Sequence, residues 1–159
     1  MAVQGHADNE SVIEHAMNEA RLRNAPVLAV GVWEEDFGET PFVVTGNRGD
    51  LQQALLNMII NAERALAGRT GHIVVQLARE EDSVVVRVMD EGSGVTVLPP
   101  ERAFEPFVTT CEPFEFAGLG LWAARRIAEQ HGGTLTLEAS SNGAVFAMRL
   151  PAMTLATKA

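Results

Sequence analysis

Gly49-Asp-Leu-Gln-Gln-Ala-Leu-Leu-Asn57-Met-Ile-Ile-Asn61-Ala-Glu-Arg64-Ala-Leu66 is the stretch on which the reading of this chain turns. At 3.6 residues per turn, Leu51, Leu55, Met58, Ile59, Ala62 and Leu66 share one side of a helix. Gln53, Asn57, Asn61 and Arg64 share the other. Leu, Ala, Gln and Met favour helix, and Asp50 suits the positive N-terminal end. The wet face of an amphipathic helix ordinarily carries Lys and Glu. Here it carries two amides at i and i+4 among Met and Ile. Partly buried amides need partners. Capped neighbouring backbone is one source of them, and a bound metal or phosphate is another.

Working outward, the N-terminal side opens on a polar tail. Ser11 and Glu14 have capping-box spacing. Val12, Ile13, Ala16, Met17 and Ala20 then make a helical stripe to about Asn24, stopped by Pro26. Residues 27–33 and 41–45 are predicted strands, separated by an acidic loop. On the C-terminal side, residues 72–79 and 83–89 are predicted to form a hairpin that runs into Asp90-Glu-Gly92-Ser-Gly94. Residues 95–117 form a long proline-rich connection, of the length that marks a lid or binding loop. A helix is expected from Gly118-Leu-Gly120-Leu121 to about Gln130. A closing hairpin, 134–139 with 144–150, is expected around Asn142-Gly143, a strong turn signal.

The 159 residues suit one domain, at 47% hydrophobic and 21% charged. No apolar run is long enough to span a membrane, and no signal peptide is evident. The single cysteine, Cys111, excludes an internal disulfide and fits a reducing, cytoplasmic setting. A net charge of −9 argues against nucleic acid as partner. It also means that a phosphate ligand needs local help from a metal, a helix N-terminus or an Arg.

Three features carry chemistry. Asp90 at a strand end is a strong acceptor for an exocyclic amine, and Gly92 and Gly94 allow close backbone approach; an ordinary Asp-Gly turn is the plain alternative. Gly118-Leu-Gly120 at a helix start offers backbone N–H groups to an anion, although glycine is common there. Asn57 and Asn61 offer amide oxygens, which suit Mg²⁺.

Together and in this order, these motifs resemble those of the GHKL ATPase superfamily, specifically the catalytic ATP-binding domain of sensor histidine kinases. Asn57-Met-Ile-Ile-Asn61-Ala62 resembles the N box and Asp90-Glu-Gly92-Ser-Gly94 the G1 box. Phe104-Glu-Pro-Phe107-Val-Thr109-Thr110 resembles the F box and Gly118-Leu119-Gly120-Leu121 the G2 box. His131-Gly-Gly133 matches what commonly follows. The resemblance runs from about Gly46 to Leu150. It implies a two-layer α/β sandwich, the Bergerat fold: a mixed sheet of five to six strands, about three helices on one face, and an ATP lid. The expected divisions are a tail and helix at 1–26, the ATP-binding domain at 27–151 and a tail at 152–159.

The resemblance also implies roles. Asn57 and Asn61 would be the catalytic pair, with Asn61 on Mg²⁺. Asp90 would receive the adenine amine, with Gly92 and Gly94 making room for the ring. Arg64, Thr109, Thr110, Gly118, Leu119, Gly120 and Leu121 would complete the ATP site. Hydrolytic relatives carry Glu where Asn57 stands, and an amide takes no proton at neutral pH. The site should therefore hold ATP for a nucleophile other than water, a histidine on a dimerisation domain, with a response regulator downstream. No direct membrane contact is expected. His6 and His15 lack the usual phosphoacceptor surroundings, so that histidine is expected outside this chain. Phe116-Ala117 stands where the family has Gly and Thr. A nucleotide-free interaction domain of the same fold is one alternative reading, and a GHKL serine kinase or ATPase another. His72 and His131 are expected to be structural.

Overall fold

The computed structural model describes residues 30–34, 43–66, 68, 70–108 and 118–153. Five strands form one sheet: β1 (Val30–Glu34), β2 (Ile73–Glu80), β3 (Ser83–Asp90), β4 (Thr134–Glu138) and β5 (Ala144–Pro151). Their order is β1-β2-β3-β5-β4. Strands β2, β3, β5 and β4 are antiparallel throughout, and β1 joins the edge parallel to β2. Two α-helices, α1 (Arg48–Leu66) and α2 (Gly120–Gln130), pack against the sheet, and a short 3-10 turn spans Pro100–Phe104. This is the two-layer α/β arrangement expected, but among the described residues two α-helices cover the sheet where about three were expected, and four of the five strands form its antiparallel part. The expected helix over 11–24 lies outside the described residues.

The central stretch forms its helix as its pattern demands. Asn47 caps it: its Oδ1 accepts from the Asp50 N–H at 3.2 Å, and its carbonyl accepts from Leu51 at 3.1 Å. Ala54, Met58, Ala62 and Leu66 form the fully buried stripe, with Leu51, Leu55 and Ile59 along its margin. Burying Met58 alone is worth about 1.5–3 kcal/mol. Sheet residues two apart on each strand meet that stripe: Ile73 and Val75, Val86 and Val88, Phe146 and Met148, Leu135 and Leu137. Leu121, Ala124 and Ala128 of α2 complete the same core.

One expectation is corrected: residues 43–45 form no strand, and Val44 makes one isolated bridge to Ala152. The closing hairpin forms where expected, around Ser141-Asn142-Gly143, with β4 ending at Glu138 and β5 starting at Ala144. The helix after Gly118 ends as its sequence indicates. Gly132 has φ +71°, its N–H bonds the Glu129 carbonyl at 3.0 Å, and the Gly133 N–H reaches Ala128 at 2.9 Å. This is a Schellman closure, which needs glycine at the left-handed position.

Candidate functional site

β3 delivers Asp90 to the sheet's helix-covered face, since Val84, Val86, Val88 and Asp90 alternate onto that side. The side chain is 3% exposed. Its Oδ1 accepts from the Gly92 N–H at 2.8 Å and the Ala144 N–H at 3.3 Å. Its Oδ2 is buried with no hydrogen-bond partner among the described residues. Burial pushes this carboxyl above the usual carboxylate range, against the pull of those two N–H groups. A buried oxygen left without a donor costs about 1–3 kcal/mol, and this one can accept a further hydrogen bond.

The loop after Asp90 is fastened to the last turn of α1. The Ser93 N–H donates to the Ala65 carbonyl at 3.0 Å, and a Cβ on Gly92 would lie 2.5 Å from the Ala65 backbone. Gly92 is thus needed for helix contact, a tighter constraint than the room for a ring expected of it. Gly94 is left-handed, φ +69°.

On α1, Asn57, Asn61 and Ala65 recur every fourth residue and share one face. At the Ala65 end of that face sits the Asp90 loop. At the Asn57 end sits α2, where a Cβ on Gly120 would stand 3.9 Å from the Asn57 Cβ. The two ends are about 12 Å apart along the helix, with Asn61 between them. Asn57, Asn61 and Arg64 are all half-buried. The Asn57 Oδ1 accepts from the Gln53 side chain at 3.0 Å.

Leu119, the N-cap of α2, makes no side-chain cap, and the N–H groups of a helix's first turn have no partner within the helix. Leu119 is exposed and Leu121 buried in the core. Gly118, φ +61°, lies against the chain that leaves the 3-10 turn: a Cβ there would be 2.6 Å from the Val108 carbonyl oxygen. Its glycine identity therefore joins the two ends of the 109–117 segment as well as opening the helix. Phe104 anchors the 3-10 turn. It is buried, edge-on to Phe146 at 5.9 Å, with the Arg125 guanidinium 5.4 Å above its ring. Thr109, Thr110, Cys111, Phe116 and Ala117 lie outside the described residues, as do His6 and His15. His72 contacts Glu91 through both its N–H and Nδ1, at 3.0 Å each.

Two residues of the site escaped the sequence. Ala144 supplies a backbone N–H to Asp90, and Gly143, φ +64°, packs so closely on the Asp90 carbonyl that any Cβ would overlap it. The Asn142-Gly143 pair was readable as a turn, but not as the floor of a carboxylate site.

The family model for histidine kinase-, DNA gyrase B- and HSP90-like ATPases matches residues 46–154. The sensor protein ChvG of Agrobacterium fabrum is 38% identical over 124 residues, covering 72% of this chain and 21% of its own length. The sensor histidine kinase ZraS of Salmonella typhi is 40% identical over 104 residues, covering 64% of this chain and 22% of its own. Among solved structures, the mycobacterial sensor histidine kinase MprB superposes with a TM-score of 0.68 at 25% identity, over 92% of this chain and 95% of that one. The chain thus spans about a fifth of the length of these curated relatives.

Proposed function

Because the chain belongs to the histidine kinase-, DNA gyrase B- and HSP90-like ATPases, as a catalytic ATP-binding domain of the sensor histidine kinase type, we propose that it binds ATP and passes the γ-phosphate to a histidine on a separate dimerisation hairpin. The observation that carries this is the buried, unpartnered Oδ2 of Asp90. An adenine amine is a donor of the right kind for it. The unit concerned is residues 27–151.

In this reading adenine lies at Asp90, beside Gly92 and Gly94, and the phosphates run along the Asn57–Asn61 face toward α2. The first-turn N–H groups of Gly118, Leu119, Gly120 and Leu121 receive phosphate oxygens. Arg64, Thr109 and Thr110 add polar contacts. Asn61 has the chemistry of a Mg²⁺ ligand, an amide oxygen on a half-buried helix face. The metal, when bound, neutralises charge on the phosphates. In transfer, an imidazole nitrogen of the acceptor forms the new P–N bond as the bond to the ADP oxygen breaks. Asn57 lies beside the transferred group but cannot remove a proton from water, so hydrolysis stays slow. A response regulator then takes the phosphoryl group from the histidine.

Calorimetric titration of the chain with ADP and Mg²⁺ tests this. Binding is expected, weakened by EDTA and in Asn61→Ala, with little phosphate release from ATP alone. Absence of ADP binding, or steady hydrolysis without a histidine-bearing acceptor, overturns it.

A further inference from the structure

His131 stands just past the end of α2, and its ring makes two hydrogen bonds of opposite sense. Nδ1 lies 2.7 Å from the Ile127 carbonyl oxygen, which only accepts, so Nδ1 carries the proton. Nε2 lies 3.0 Å from the Asn47 backbone N–H, which only donates, so Nε2 is bare. The ring is therefore a neutral imidazole of one defined tautomer. It ties the C-terminal end of α2 to the residue that caps α1. Gly46 leaves room for it, since a Cβ at position 46 would overlap the ring.

The two helices run in opposite directions. Asn47 and His131 join at one end, and Asn57 and Gly120 meet at the other. Between these contacts lie about 15 Å of α1 and about 16 Å of α2. At the Gly120 end a Cβ on the glycine would stand 3.9 Å from the Asn57 Cβ, and no hydrogen bond between the helices is described there. The polar link at the His131 end joins the core packing of Leu121, Ala124 and Ala128 in setting the register of α2 along α1. That register sets the distance from the amide face of α1 to the start of α2.

We propose that His131 is a positioning residue for the nucleotide phosphates: by accepting from Asn47 it holds the start of α2 in register with Asn57 and Asn61. The inference rests on the ATP-site reading above. It does not involve the adenine end, which β3, the 92–93 loop and Ala144 build independently of His131.

Two substitutions separate the bonds. In His131→Gln the side-chain oxygen reaches the place of Nε2 and still accepts from Asn47. In His131→Asn the shorter amide can serve Ile127 but not Asn47. Affinity is measured for ADP with Mg²⁺ by calorimetry and for adenosine by ligand-observed NMR, which reads weak binding. His131→Asn is expected to weaken ADP about fivefold, the share of one hydrogen bond, and to leave adenosine unchanged. His131→Gln is expected to restore ADP to within about twofold of the parent chain. Should His131→Asn fail to fold, Gly46→Ala takes its place, since it displaces the ring while keeping the histidine, and the same split is expected. Equal ADP binding in all variants overturns the inference, as does equal loss of ADP and adenosine, which signals general destabilisation. If the parent chain itself binds no ADP, the ATP-site reading falls first and this one with it.

Discussion

Asp90 and Glu138 end neighbouring regions of one sheet, and their carboxylates live under opposite rules. Glu138 lies on the face away from the helices, in a cluster with Arg87, Arg149 and Glu80. Arg87 Nε donates to it at 2.9 Å, Arg149 also donates to it, and Arg149 reaches Glu80 at 3.4 Å. Arg87, whose side chain is only 16% exposed, bonds Glu80 as well. Each charge there has partners within the fold. The hydrogen bond from Arg87 leads in holding Glu138 below the usual carboxylate range. Asp90, on the helix face, receives two backbone N–H groups on one oxygen and none on the other. The cluster is saturated, so it serves the sheet. The lone carboxylate keeps one oxygen without a partner among the described residues, as the proposed adenine site requires.

The largest expected effect comes from making Asp90 like a saturated group. In Asp90→Asn, the retained oxygen still accepts from Gly92 and Ala144, while the buried second position becomes an N–H₂ that repels an adenine amine. ADP affinity should fall about 30-fold or more, the worth of a hydrogen bond to a charged group. The melting temperature should hold or rise, because a buried charge is removed. Calorimetry and thermal denaturation on one preparation check both. A coupled loss of affinity and stability would mean that Asp90 is structural after all, and the contrast with Glu138 would collapse.

Glu138→Gln should show the reverse pattern with a smaller effect. Arg87 keeps Glu80, and the pairs are partly exposed, so the loss of stability is about 1 kcal/mol. ADP affinity should be unchanged, because no described contact links the cluster to the Asn57 face. Chemical denaturation with a parallel ADP titration reads both numbers. A drop in ADP affinity here would show that the outer face reaches the site through the strands.

The two regions also differed in how much the sequence disclosed. The N-box helix was legible because its apolar period and its two amides lie within one element, and both faces fell where the period put them. Asp90 was legible as a strand-end carboxylate before two glycines. Its environment was not. Ala144 and Gly143 lie 54 and 53 residues along the chain and act through backbone atoms, which no side-chain pattern marks. The Asn-Gly pair was read correctly as the hairpin turn, and its second role, packing on the Asp90 carbonyl, was not legible. The outer cluster was invisible for a related reason. Glu80, Arg87, Glu138 and Arg149 come from four strands, and only the sheet order β2-β3-β5-β4 brings them together. Residues 41–45 looked strand-like by composition, yet among the described 43–45 the pairing is the isolated Val44–Ala152 bridge.

Acidification should draw the two regions apart by the smallest but most specific effect. Asp90 is raised above its ordinary value of 3.8, chiefly by desolvation, so the folded state disfavours its charged form. Its charge therefore costs stability above the folded-state pKa, and that cost is relieved as pH falls through it. Glu138 is lowered from 4.5, chiefly by Arg87, so its contribution is fully present above 4.5 and disappears only as pH falls through the lower, folded-state value. In the proposed site, protonation of Asp90 also removes the acceptor that Oδ2 would offer to adenine. Lowering the pH should then first weaken ADP binding while narrowing the stability difference between the parent chain and Asp90→Asn. The stability difference from Glu138→Gln should persist to more acid pH before it closes. Melting temperatures of the three proteins across this range, with ADP titrations of the parent, give the order of events. If both differences closed over one window, the carboxylates would share an environment, and a half-served group would no longer be distinguished from a saturated one.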